Sequence, residues 1–329
     1  MYDRYEIPEI RVIKNKIPII YLDTNALIEL SRYEKGCCKN EHICEIGKLY
    51  ATLSTLMLKN RIICVLGNQM EEMGTSEKRE DARNFIFQFT NAEFMPPHLI
   101  WKKQQDFGYR AFIGNLAQIE FNISHIIIKS ITVRDFSIDM HMTLIYPPEL
   151  IEQLRQDKQK LATALNSAKN SGGIAPNYDA QLERELKAEL QVFQYNLEHG
   201  NDSPEAYKQM QQALMDVYRR VEIDIANSSN EEIIRAVDLH NHFLLSQYHH
   251  KLPYIWIRSV LFAHIMQRQK KIIPSDNLDI TWAAAYLPFV DYAVTDTAFC
   301  DLLNQSGLAA EYGTKVYCFK TLNKLLEEL

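Results

Sequence analysis

Ile17-Pro18-Ile19-Ile20-Tyr21-Leu22-Asp23-Thr24-Asn25 is a short apolar run that stops abruptly at an acid followed by two small polar residues. Its length, the preceding Lys14 and Lys16, and the polar residues that bound it predict a strand buried on both faces, as in a parallel sheet. Ala26, Leu27 and Leu30 continue at helical spacing. Asp23 is therefore expected at the carboxyl end of a strand in an α/β unit, the edge where open parallel sheets carry ligands.

Working outward, Ile46, Leu49, Tyr50, Leu53, Leu56 and Met57 predict a helix over 45–59, and Arg61–Leu66 predicts a second strand. Asn68 with Glu71 resembles a capping box, which gives Glu71 a backbone partner and leaves Glu72 as the acid turned toward the first strand's end. A helix is expected over 77–90, and Met95-Pro96-Pro97-His98 marks a boundary. Pro274–Tyr286 reads as a helix ended by Pro288. Phe289–Asp296 reads as a strand closing on an acid, followed by a helix with Phe299, Leu302 and Leu303 and a last strand at Lys315–Phe319.

Between these parts helical periodicity dominates. Leu182, Leu186, Leu190, Phe193 and Leu197 form one stripe, and Tyr207, Met210, Leu214, Val217 and Val221 another. Ser203 with Pro204, and Ser229 with Glu232, are helix starts. The expected architecture is a parallel β-sheet flanked by helices, over 1–99 and 271–329, with an all-α helical insertion over 100–270.

The chain has 329 residues, 47% hydrophobic and 24% charged, with a formal net charge of −6, so bulk charge does not mark a nucleic-acid sleeve. Asp3, Arg4 and Glu6 interrupt any signal peptide, no apolar stretch approaches about 18 residues, and six scattered cysteines suit a reducing compartment. The expectation is a cytoplasmic protein with no membrane span. Gly36–Cys44, with three cysteines and a histidine, lacks the second ligand pair of a zinc knuckle and reads as a loop with reduced thiols.

Asp23, Glu72, Asp279 and Asp296 all fall at the carboxyl edge of the expected sheet. Carboxylates gathered there repel by about 3 kcal/mol per pair at roughly 5 Å and an effective dielectric near 20, so they hold protons or a hard divalent cation. Leu22-Asp23-Thr24-Asn25, Glu72-Met73, Asp279 with Ala283 and Ala284, and Val294-Thr295-Asp296 together resemble the PIN domain, a metal-dependent ribonuclease fold. The resemblance implies that Asp23, Glu72, Asp279 and Asp296 bind Mg²⁺ or Mn²⁺ and hydrolyse RNA, tRNA among the candidates. It makes Thr24 and Asn25 supporting residues, with Glu71, Asp276 and Asp301 as additional or substitute acids. The alternative it leaves is an inactive PIN-like scaffold that binds a protein partner, or a second copy of itself, through the helical insertion. Basic residues would steer phosphate: Lys102, Lys103, Arg110, Lys129 and Arg134 before the insertion, and Arg268, Lys270 and Lys271 at its exit. The spacings Arg235 to His240 and Arg258 to His264 resemble the motif of HEPN-type ribonucleases, against a plainer reading as surface residues.

Overall fold

The computed structural model describes residues 7–67, 69, 80–130, 148–224, 226–268 and 270–329. The chain divides into two compact units. One comprises 12–100, 121–173 and 268–329 and holds the main sheet; the other comprises 1–11, 101–120 and 174–267 and is mostly helical. Among the described residues, no helix is long and apolar enough to cross a membrane.

Among the described residues, the main sheet has six strands. In chain order they are β2 (Ile19–Leu22), β3 (Ile63–Leu66), β4 (Ala92–Phe94), β6 (Ile127–Ser130), β7 (Tyr292–Val294) and β8 (Lys315–Tyr317). Their spatial order is β6-β4-β3-β2-β7-β8, with every neighbouring pair parallel except β6 against β4. The strands β1 (Glu9–Ile13) and β5 (Gln118–Asn122) pair separately.

β2 lies between β3 and β7, and all four of its residues are buried, which is why its sequence is a continuous apolar run. On one face Ile20, Leu22, Cys64, Leu66, Val294 and Tyr317 pack under α1 (Thr24–Glu34), α2 (Ile43–Leu58) and α3 (Glu80–Phe89). On the other, Tyr21 stacks on Trp282 of α12 (Asp276–Tyr286), ring centroids 4.6 Å apart. α4 (Pro97–Ile113) follows β4, and α5 (Pro148–Asn170) belongs to the sheet-bearing unit. The helical unit carries α6 (Tyr178–Leu186), α7 (Ala188–His199), α8 (Pro204–Val221), α9 (Asn230–Leu245), α10 (Gln247–His250) and α11 (Pro253–Gln267). The chain ends with α13 (Thr297–Gln305), α14 (Leu308–Glu311), β8 and α15 (Leu322–Glu328).

Three features depart from the sequence reading. Residues 121–173 group with the sheet rather than with the helices, and β6 joins it as an antiparallel edge. An edge strand of four residues leaves too short an alternation to stand out beside long helices. The stripe from Leu182 to Leu197 runs over two helices that meet at Lys187. Tyr207, the first residue of the second stripe, is exposed. The starts at Ser203 and at the Ser229–Glu232 capping box are both formed as side-chain caps.

Candidate active site at the carboxyl edge of the sheet

Because Leu22 is in register with Val294, the chain leaves β2 and β7 side by side. The Asp23 amide donates to the Val294 carbonyl at 2.9 Å, so the acids that follow the two strands begin from neighbouring positions. Each caps the helix that follows, in nearly the same backbone conformation: φ −65°, ψ 170° at Asp23 and φ −65°, ψ 160° at Asp296. Asp23 Oδ1 accepts from the Ala26 amide at 2.7 Å. Asp296 Oδ1 accepts from the Ala298 and Phe299 amides at 2.8 and 3.1 Å. Asp23 is 8% exposed and Asp296 half-buried. Two helix N-termini therefore converge on one stretch of sheet edge, each presenting amides and a carboxylate.

Asp279 belongs to the helix that packs on the other face of the sheet. It lies in the first turn of α12, one turn before Trp282. Trp282 stacks on Tyr21, two residues before Asp23, and meets Phe299, three residues after Asp296, edge-on at 5.5 Å. That aromatic wedge packs the middle of α12 against both acid-bearing segments. Asp276 has a local role, its Oδ2 accepting from the Ile273 amide at 2.9 Å. Asp301 is exposed. Thr24 is buried and Asn25 exposed. Glu71 and Glu72 lie outside the described residues. Among the described residues, no group of three or more histidine, cysteine, aspartate or glutamate side chains is placed to hold a metal ion.

Gln69 is a site residue that sequence reading missed. It is 0% exposed, donates from Nε2 to the Leu22 carbonyl at 2.8 Å, and accepts from the Gly67 amide. It thereby ties the end of β3 to the peptide immediately before Asp23. Its carbonyl partner is 47 residues away, and no local pattern announces such a bond. A Cβ on Gly67 would lie 2.6 Å from Cε2 of Tyr286, so the absence of a side chain there admits the ring. Thr295, between the two ends of this edge, is 1% exposed, and its hydroxyl has no partner among the described residues.

The other candidates separate. Arg235 is exposed and pairs with Glu231 at 3.6 Å, whereas His240 is buried against Arg220, so the two do not form a catalytic pair. Five residues along a helix turn side chains well apart in azimuth, which accounts for the split. Arg258 pairs with Glu189 at 3.4 Å, while His264 packs against Tyr178. Cys37 and Cys44 are exposed, and Cys38 contacts Glu29 at 3.4 Å. Lys102 pairs with Asp216 at 3.5 Å and Arg110 is exposed. Arg134 and the side chain of Lys129 lie outside what is described. Compared with known proteins, the chain matches no family model, no curated protein and no solved structure.

Proposed function

We propose that this chain is a metal-dependent endoribonuclease of PIN-like type, with its centre at the carboxyl edge of the sheet. The observation that supports it is the adjacency of Asp23 and Asp296 across the β2–β7 register, with Trp282 of α12 packed against both segments. Carboxylate oxygens are the donors that Mg²⁺ or Mn²⁺ takes. In this reading Asp23 and Asp296 hold the ion with Asp279 and Glu72. A bound ion of that kind lowers the pKa of a water and neutralises charge on the leaving oxygen. The protein's own part is to set the two acids at helix N-termini and to keep their backbones in register.

A second reading, an inactive PIN-like scaffold whose helices bind a protein partner, also has an observation in its favour. Asp23 and Asp296 already serve as caps, and no three described acids gather around one point. Asparagine caps a helix about as well as aspartate, so Asp23→Asn removes charge and leaves the cap. The ribonuclease reading expects Mn²⁺-dependent RNA cleavage by the wild type, lost in Asp23→Asn, and a calorimetric Mn²⁺ titration weakened in parallel. Equal cleavage by both proteins overturns the centre at Asp23, and no cleavage with no divalent binding to the wild type decides for the scaffold.

A further inference from the structure

The end of α5 is clamped to the segment that leads into α12. Asn166 donates from Nδ2 to the Ile272 carbonyl at 2.8 Å, and its Oδ1 accepts from the Ile272 amide at 2.9 Å. Three residues on, Lys169 donates to the Lys270 carbonyl at 3.0 Å. The segment then turns into the helix, with the Asp276 amide donating to the Ile273 carbonyl at 3.1 Å. Lys169, Arg268, Lys270 and Lys271 are thus gathered at the start of α12, whose first turn carries Asp276 and Asp279. The ammonium of Lys169 is held below its ordinary range, first by burial and then by Arg268, with Asp276 pulling the other way. That balance places an arginine, a lysine and a carboxylate within electrostatic range of one another.

A lysine in the last turn of a helix is favoured by the helix dipole, which accounts for Lys169 alone. It does not account for Arg268, Lys270 and Lys271, which belong to a different segment; Lys270 and Lys271 are exposed. Like charges held together by a backbone clamp repel until a polyanion neutralises them and releases its counterions.

We propose that Lys169, Arg268, Lys270 and Lys271 form a cationic strip that takes the phosphate backbone of RNA beside the first turn of α12, an inference that rests on the ribonuclease reading. An acidic centre repels its own substrate, and this strip supplies the attraction next to Asp279.

The test is fluorescence anisotropy of a labelled oligouridylate with the full chain in EDTA, over a range of salt. The Arg268→Glu, Lys270→Glu, Lys271→Glu triple variant should bind at least about ten-fold more weakly, and its log K against log salt should flatten by about 2, three single-strand phosphate contacts at roughly 0.7 each. Lys158→Glu with Lys160→Glu, earlier on α5, should leave both unchanged. If the triple variant does not fold by circular dichroism, the glutamine variants at the same positions should show the same loss in weaker form. Unchanged affinity and slope in a folded variant overturn the strip, as does a wild type that fails to bind at low salt. The acids are read separately, by Mn²⁺-dependent hydrolysis of bis(p-nitrophenyl) phosphate by the wild type and by Asp23→Asn. Absence of hydrolysis there sinks the ribonuclease reading, while loss of binding in the triple variant still establishes the strip.

Discussion

An aspartate that caps a helix has a structural duty and a charge at once, and substitution can separate them. Asp23 and Asp296 each satisfy amides that the first turn of a helix leaves without intrahelical partners. Asp23→Ala should therefore cost about 1 kcal/mol of stability, and Asp23→Asn only a few tenths. Urea denaturation of the two variants checks this; an Asn variant as unstable as the Ala variant would mean that the charge, not the cap, holds this junction. Gly67 offers a second test at this scale. A methyl group there meets the Tyr286 ring rather than a flexible chain end, so Gly67→Ala should destabilise by about 1–3 kcal/mol through overpacking. A stability within error of the wild type would show that the ring gives way. Gln69 illustrates why such residues escape a sequence reading: nothing in Gly67-Asn68-Gln69 specifies that the glutamine bonds to Leu22.

At the scale of elements, the opposite edge of the sheet is closed by Lys14. Its ammonium donates to the Val290 carbonyl at 2.7 Å, the Gly313 carbonyl at 3.0 Å and the Thr314 hydroxyl at 3.3 Å, with Asp291 at 4.0 Å. Burial holds this lysine below its ordinary range, opposed by Asp291. Asp291 in turn accepts from the Ile19 amide at 2.8 Å. The lead-in to β2 is thus latched to the amino ends of β7 and β8. Lys14→Met keeps the stem and removes the donors; the loss expected is about 1.5–3 kcal/mol, the range for hydrogen bonds made by a charged group, read as a lower urea midpoint at unchanged slope. A midpoint that does not move would show water taking the ammonium's place. The central strands were legible because burial on both faces writes a continuous apolar run, as at Ile19–Leu22. β6 was not, because its pairing depends on β4, more than thirty residues earlier. The acids at strand ends were legible as positions. Their capping role is legible too, in an aspartate directly before a helical stripe.

Across the molecule, buried polar side chains take main-chain partners in both units, and in the helical unit one cluster pairs side chain with side chain. In the sheet-bearing unit, Asp23 and Gln69 bond to main-chain groups. In the helical unit, side chains bond to one another: Arg220 donates to Gln105 at 2.9 Å and to His240 Nε2 at 2.6 Å, and reaches Asp106 at 3.4 Å. A guanidinium only donates, so Nε2 of His240 accepts and the ring's proton sits on Nδ1, which has no partner among the described residues. The imidazole is therefore neutral. Burial, then the Arg220 charge, pushes its pKa down to about 3, and burial also lowers His249 and His250. The sign follows from linkage. Below a pH of about 6.5 the unfolded chain binds a proton that folded His240 refuses, so stability present above that pH is lost as pH falls toward about 3. The slope is about 1.4 kcal/mol per pH unit for each such histidine, or about 2 kcal/mol for His240 between pH 7 and pH 5. His240→Gln keeps an acceptor for Arg220 and cannot take a proton. Urea denaturation followed by circular dichroism at those two pH values should show the variant losing about 2 kcal/mol less than the wild type. An equal loss in both proteins would mean that His240 is protonated in the fold, and that Arg220 takes another acceptor in its place.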